Sequence, residues 1–242
     1  MRRCKTLVFD LYGTLADIHT DESRPSLWRE TAAFYAAHGT AWAPAALRRQ
    51  YGSLVSRSVA AAETAAGPGA FPEIDLLPVF EALFSRSVST ETVRETAWCF
   101  RRASTTHLRL YAGAAELLRA LRADGRQILL LTNAQRCFTE PELKLLGLED
   151  AFDGIYISSD IGWKKPDSRF FSAMLEDRKL SAGDCLMIGN DPVCDVMGAK
   201  AVGMDAFFLR SALSPPDSPE ADAADYRQEG MDLKRLRRKL MQ

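Results

Sequence analysis

Short apolar runs alternate with stretches of helical periodicity in the second half of the chain, and helical periodicity alone fills most of the first half. Residues 6–9 (TLVF) are apolar and partly β-branched, which suits a strand covered on both faces of a parallel sheet. The run stops at Asp10, and the polar stretch Tyr12-Gly13-Thr14 follows at once. In open α/β sheets ligands bind beyond the carboxyl ends of the strands, so Asp10 falls where such a fold does its chemistry. Residues 16–24 are polar, and Pro25-Ser26 reads as a helix start. From there to residue 106 the pattern predicts helices only. Leu27, Thr31, Phe34 and Tyr35 recur at helical spacing, as do Leu47, Tyr51, Leu54 and Val55. Gly67-Pro68-Gly69 breaks the pattern, after which Leu76, Val79, Phe80 and Leu83 fit a third helix. Ser89 or Thr90 starts a fourth, carrying Val93, Ala97 and Phe100.

The second half predicts strands at 127–132, 154–158, 186–189 and 206–209, separated by helices at 113–122, 139–146, 168–179 and 193–202. Gly147 ends the second of these helices. Residues 211–225 (SALSPPDSPEADAAD) read as a loop, and 232–240 as a short basic helix with a solvated face. This order predicts an α/β fold. A Rossmann-like parallel-sheet core, residues 1–15 and 107–242, carries an all-helical cap domain, residues 16–106, inserted after the first strand.

Composition narrows the partners. The chain has 242 residues, a formal net charge of −1 and 47% hydrophobic residues, enough for one or two domains with a sizeable core. No basic excess points to nucleic acid or an anionic membrane. The longest apolar runs fall far short of a bilayer span. The chain begins basic and then apolar, but the apolar run is shorter than the roughly 7–15 residues of a signal core. Five cysteines, an odd number without C-x-x-C spacing, argue against a disulfide framework or structural zinc and for a reduced, cytoplasmic setting. Cys194 has no neighbouring His in sequence to activate it and reads as a small packed residue.

Four stretches carry the candidate chemistry: KTLVFDLYGTL at 5–15, QILLLTN at 127–133, GWKKPDSRFF at 162–171 and CLMIGNDPVCDVMGA at 185–199. In order and spacing they resemble the haloacid dehalogenase (HAD) superfamily, helical-cap subgroup, over residues 5–15 and 110–210. The resemblance implies a hydrolase in which Asp10 attacks the substrate and forms a covalent ester, splitting one displacement into two. Thr14 and the following amides position that carboxylate. Thr132 and Asn133 donate to a phosphoryl or carboxylate oxygen. Lys165, directly before Pro166, balances the negative charge. Lys164 reads as a loop lysine. The resemblance also implies Mg²⁺, with Asp10, the backbone carbonyl of Tyr12 and a motif-four acid as ligands. Asp191 is the first choice for that acid and Asp195 the second; alternatively Asp195 caps the following helix and only Asp191 lines the site. Asn190 stands where many relatives carry an Asp.

One residue departs from the phosphatase pattern. The position two after the nucleophile, usually an acid/base Asp, is Tyr12, and a tyrosine of ordinary pKa is a poor base at neutral pH. FDLYGTL is similar to the L-2-haloacid dehalogenases, whose halide leaves without a proton, and Leu27-Trp28-Arg29 resembles the cap stretch where an arginine binds substrate. Arg29 is therefore a substrate-binding candidate, with a surface arginine on the first cap helix as the alternative. Other features point away from dehalogenase: the second acid at Asp195, and Phe171 where those enzymes carry Tyr. One of Asp17, His19, Asp21 and Glu22, His19 first, is a candidate replacement for the missing acid/base. Three readings follow: a Mg²⁺-dependent phosphatase of a small anionic phosphometabolite, a metal-independent 2-haloacid dehalogenase, and a HAD-like binding protein with little turnover. These patterns leave the oligomeric state open.

Overall fold

The computed structural model describes residues 4–216 and 218–242; the basic start at 1–3 and Asp217 in the Pro-rich loop lie outside them. The chain runs β1 (Thr6–Phe9), β2 (Ala16–Thr20), α1 (Pro25–Ala37), α2 (Pro44–Ala66), α3 (Leu77–Glu81), α4 (Thr90–Ser104) and β3 (Thr105–Leu110). It continues α5 (Ala114–Ala123), β4 (Gln127–Thr132), α6 (Arg136–Leu145), β5 (Gly154–Ile157), α7 (Ser158–Ile161) and α8 (Ser168–Arg178). The last elements are β6 (Cys185–Gly189), a π-helical turn (Pro192–Met197), α9 (Gly198–Ala201), β7 (Asp205–Arg210), β8 (Tyr226–Glu229) and α10 (Leu233–Leu240).

Six parallel strands lie in the order β5-β4-β1-β6-β7-β8. The chain leaves β1 to build one side of the sheet, then crosses back to build the other. The switch point therefore lies at the carboxyl end of β1, between β4 and β6, where such folds open a crevice. Leu7, Val8 and Phe9 are all fully buried. Leu7 and Phe9 join one apolar layer with Leu117, Leu121, Ile128, Leu130 and Leu236. Val8 joins the layer on the opposite face with Leu129, Leu131, Phe170, Phe171 and Met187. Alternating side chains along β1 and β4 thus serve both faces.

The helices expected between 25 and 104 form, and they share a third apolar cluster. Ser89 caps α4 by accepting the Thr92 amide at 3.1 Å, with Glu91 in the first turn and Arg101 and Arg102 in the last. Phe100 sits among Tyr51, Phe80 and Trp28 at centroid distances of 5.0, 5.4 and 5.5 Å. Phe138 on α6 also enters this cluster, joining it to the sheet-bearing part.

Some elements escaped the sequence pattern. The polar stretch at 16–24 hides β2, which pairs antiparallel with β3 as a two-stranded ribbon carrying the chain into and out of the helical insert. Only Ala16, Leu108 and Leu110 of the ribbon meet the core, too few and too interspersed with Thr, His, Asp and Arg to show β2 as a strand in the sequence. The third helix is only one turn. The helix expected from 193 is a π-helical turn followed by the short α9, and β8 follows the Pro-rich loop. Among the described residues no helix is long and apolar enough to cross a membrane.

Replacing Phe100 by Ala removes the centre of the aromatic cluster. The expected loss of stability is about 3–5 kcal/mol, read from the shift in denaturant midpoint.

Candidate active site

The site begins with a turn. The amides of Thr14, Leu15 and Ala16 converge on the Leu11 carbonyl at 3.2, 2.8 and 2.9 Å, and the Gly13 amide reaches the Ala16 carbonyl at 2.7 Å. Gly13 has φ +88°, and a Cβ there would stand 2.5 Å from Asn190 Nδ2, so both conformation and space call for glycine. Thr14 Oγ1 donates to Asn190 Oδ1 at 3.1 Å and reaches Asp10 Oδ2 at 3.3 Å. The amide of Asp10 is tied to the Ile188 carbonyl at 3.0 Å.

Lys165 is 2% exposed. Its Nζ donates to Asp10 Oδ1 at 2.8 Å, Asp195 Oδ1 at 2.6 Å and the Leu131 carbonyl at 2.8 Å. Burial pulls its pKa down, but Asp10 and Asp195 outweigh that and raise it, so the ammonium stays charged. Asn133 brackets its backbone: Oδ1 accepts the Lys165 amide at 2.8 Å and Nδ2 donates to the Lys165 carbonyl at 2.9 Å. Asn133 thus spends its amide on placing the lysine. Thr132 ends β4 with its hydroxyl buried and without a hydrogen-bond partner among the described residues.

The motif-four acids divide their work. Asp191, not Asp195, caps the π-helical turn, its Oδ1 accepting the Val193 and Cys194 amides at 2.9 and 2.8 Å. Asp195 is buried instead, with Oδ2 accepting the Asp191 amide at 2.9 Å and Oδ1 facing Lys165. The alternative in which Asp195 caps the helix does not hold; a cap must precede the first turn, and residue 195 lies within it. A Cβ on Gly189 would overlap the Asp195 carboxylate, which explains the glycine at the end of β6. Asp10, Tyr12, Asn133, Lys165, Asn190, Asp191, Cys194, Asp195 and Leu213 line one pocket of about 200 Å³. Burial, then Asp191 and Asp195, pushes the Cys194 thiol up to about 12, which leaves it inert.

A divalent cation fits this donor set. Asp10, Asp191 and the Asn190 amide present hard oxygens to one pocket, and the turn's hydrogen bonds use the Leu11 and Ala16 carbonyls, leaving that of Tyr12 out of the network. Among the described residues no group of three acidic, His or Cys side chains forms a metal cluster by itself, so main-chain and substrate oxygens would complete the shell.

Tyr12 turns its ring toward the helical insert. Its hydroxyl donates to Glu142 Oε2 and lies 3.1 Å from Thr139 Oγ1. Glu142, 1% exposed on α6, is held in turn by Arg101 of α4, with Nε to Oε1 at 2.6 Å. Burial first, then the Glu142 charge, raises the Tyr12 pKa further from neutrality. Neither Arg101 nor Glu142 stands out in the sequence. The one available signal is Thr139 and Glu142 at i, i+3 spacing on one helix face.

The other expected residues lie elsewhere. Arg29 is exposed on α1 and does not line the pocket, so the surface-arginine alternative holds; the cap arginine beside Tyr12 is Arg101. His19 is exposed on β2, bonded to Thr106 at 2.8 Å and stacked on His107. Asp17 pairs with Arg109 at 2.8 Å, and Asp21 turns back on Ser23. Glu22 also lies outside the pocket; burial raises its pKa, and the Arg101 charge pulls the other way. The β-ribbon carries the first three away because its side chains alternate over a surface the pattern did not reveal.

A strap of the insert, residues 71–76, closes on the loop carrying Lys165. Lys164 N donates to the Phe71 carbonyl at 3.0 Å, Phe71 N to Asp167 Oδ2 at 3.0 Å, and Glu73 N to the Gly162 carbonyl at 2.9 Å. Gln135 holds the far end, donating to the Ile74 carbonyl and accepting the Leu76 amide. A larger cleft, about 440 Å³, lies between α4 and α6 and is lined by Arg94, Trp98, Arg136 and Lys144 among others; it contains none of the Asp10 group.

A buried carboxylate against a buried lysine, at the switch point of a parallel sheet with a helical insert, places this chain among the doubly wound α/β proteins with a charged crevice. The family model of the haloacid dehalogenase-like hydrolases matches residues 4–203, and the chain belongs to that family. It is 32% identical over 151 residues to the phosphoserine phosphatase of Thermus thermophilus, covering 61% of this chain and 60% of that one. It is 28% identical over 210 residues to the phosphoglycolate phosphatase of Nitrosospira multiformis, covering 85% and 82%. The chain spans from 38% to 60% of the length of the first curated relatives it matches. Among solved structures, a HAD phosphatase from Thermococcus onnurineus has the same fold, with a TM-score of 0.61, 22% identity and coverage of 98% of this chain and 97% of that one.

Arg101→Ala leaves the Glu142 carboxylate buried with only the Tyr12 hydroxyl to answer it. The expected destabilisation is about 3–5 kcal/mol by denaturant midpoint. Replacing both Arg101 and Glu142 by residues of matched volume should cost less than the single change, which a double-mutant cycle measures.

Proposed function

We propose that this chain is a phosphatase of small phosphate monoesters that works through a covalent aspartyl intermediate on Asp10, with Mg²⁺ as its cation. One observation carries the reading. Lys165 donates to Asp10 at 2.8 Å, while at the end of the neighbouring strand the buried Thr132 hydroxyl has no partner among the described residues. An unsatisfied buried donor is costly, and an oxygen of a bound anion would satisfy it. The small pocket fits a small anionic substrate.

In this mechanism the turn after β1 fixes the Asp10 carboxylate, and Thr14 holds it toward Asn190. Asp10 Oδ2, the oxygen not bound to Lys165, attacks phosphorus. Thr132 donates to a non-bridging oxygen, and the Lys165 ammonium offsets the charge that gathers there. Asn133 acts by positioning Lys165. Asp195 holds the lysine from the other side. Asp10, Asp191 and the Tyr12 carbonyl would hold Mg²⁺, which neutralises the substrate's charge.

A second reading, a metal-independent 2-haloacid dehalogenase, is favoured by one observation: the Tyr12 hydroxyl is committed to Glu142, and a halide leaves without a proton. Cation dependence separates the two.

Mg²⁺ and beryllium fluoride together should bind the parent protein in calorimetry, and the fluoride complex should be lost in Asp10→Asn. Absence of Mg²⁺ binding at millimolar concentration would sink the phosphatase reading, and release of halide from 2-haloacids would then establish the second. Chelation should remove phosphatase turnover and restore it on adding Mg²⁺ back, with no such response in a dehalogenase.

A further inference from the structure

Resting on the phosphatase reading, we propose that the alcohol part of the substrate is an uncharged hydrocarbon group held against Leu213 and the exposed apolar side chains beside it. Phosphate esters that carry a second anionic group are then poor substrates. The first observation is where apolar surface is left uncovered. Among the described residues, the large apolar side chains left exposed are Phe71, Leu145, Val193, Met197, Leu213 and Met241. Four of these six belong to segments that border the Asp10 pocket. Leu213, 43% exposed, lines the pocket itself. Val193 and Met197 stand on the π-helical turn on either side of Cys194 and Asp195, which also line it. Phe71 is paired through its backbone carbonyl with Lys164, next to Lys165. Exposed apolar side chains scattered singly call for no explanation, but a group of them around one polar pocket marks surface that a ligand covers. Leu213 is also held in place. Its amide donates to Ser211 Oγ at 3.3 Å, and the Ser211 amide donates to Ser214 Oγ at 2.9 Å. A serine-braced turn thus presents a hydrocarbon side chain to the pocket.

The second observation is charge. Among the residues lining the pocket, Lys165 is the only cation, and its three hydrogens go to Asp10, Asp195 and the Leu131 carbonyl. A carboxylate on the substrate would enter beside Asp10, Asp191 and Asp195 with no side-chain cation free to pair with it. Asn190 offers it only a neutral amide. Taking an unpaired charge out of water is costly. A hydrocarbon group gains instead, because each methylene covered by Leu213 and its neighbours leaves water. The polar part of this pocket of about 200 Å³ takes the phosphoryl group, and the rest of the ester extends over the apolar rim. That division, a few polar groups for orientation and apolar surface for affinity, is the usual one in small-molecule sites.

The test compares kcat/KM for ethyl, butyl and hexyl phosphate, whose leaving groups are alike in basicity, with that for phosphoglycolate, which adds a carboxylate to a two-carbon alcohol. The expected result is a rise of about two- to fourfold per methylene along the alkyl series, with phosphoglycolate below ethyl phosphate. Leu213→Asn should flatten the series, raising KM for hexyl phosphate more than for ethyl phosphate. The alkyl series in the parent protein decides the matter even where that variant fails to fold. A series flat to within about twofold from ethyl to hexyl, or phosphoglycolate turned over faster than hexyl phosphate, overturns the inference and leaves the phosphatase reading standing. A dimer that Leu213→Asn dissociates, together with a flat series, also overturns it and assigns the apolar rim to a second copy of the chain. If neither these esters nor p-nitrophenyl phosphate is hydrolysed, the phosphatase reading itself fails, and this inference with it.

Discussion

The Lys165 ammonium, sealed between Asp10 and Asp195 at 2.8 and 2.6 Å, is the interaction on which the rest of the site depends. A buried ammonium loses several kcal/mol of hydration, and only full satisfaction of its three hydrogens makes that tolerable. Each acceptor comes from a different part of the sheet: the end of β1, the end of β4 and the turn after β6. Meeting that requirement fixes the spacing of three strand ends at once. It also accounts for Gly189, where a side chain would displace the Asp195 carboxylate, and for the Asn133 amide bracketing the lysine backbone. Three carboxyl groups, Asp10, Asp191 and Asp195, share the pocket with this one ammonium, and the residual negative charge favours a cation there.

The helical insert reaches the same centre by two routes. Its strap at 71–76 runs along the Lys165 loop through main-chain bonds and the Asp167 carboxylate, which caps α8. Its helix α4 reaches the nucleophile turn through Arg101, Glu142 and Tyr12. The first route is backbone pairing, indifferent to most side chains. The second is a buried ion pair, demanding in geometry and costly to break. Together they join both the turn after Asp10 and the Lys165 loop to the insert.

Much of this was legible in the sequence because it rests on local rules. The doubly buried strand at 6–9, the Asp at its end, the glycine turn and the alternating second half all follow from short-range periodicity. Asp10, Thr14, Lys165, Asn190, Asp191 and Asp195 come together as their motifs implied. What escaped the reading is long-range. The β-ribbon of β2 and β3 has a polar, solvated sequence, so its strands leave no apolar signature, and it carries His19 and Asp17 to the surface. Arg29 failed because helical spacing alone cannot say which face of α1 meets the core. Glu142 lies 130 positions from Tyr12, a separation at which no sequence pattern gives a register. The exchange of capping roles between Asp191 and Asp195 depends on a π-helical turn that periodicity reads as ordinary helix.

Position 12 shows why the missed contacts matter for chemistry. The residue lines the pocket, while its phenol serves the contact with α4 and α6. A carboxylate there could not donate to Glu142 while ionised, and its charge would oppose it. Arg101 and Glu142 therefore fit a tyrosine at position 12 better than an ionised acid, and Tyr12 is best understood as part of that buried set. The same hydroxyl cannot both anchor the insert and pass a proton to a leaving group. In this chain anchoring has the stronger geometric support, since the oxygen is tied to two side chains on α6 and neither is a substrate contact.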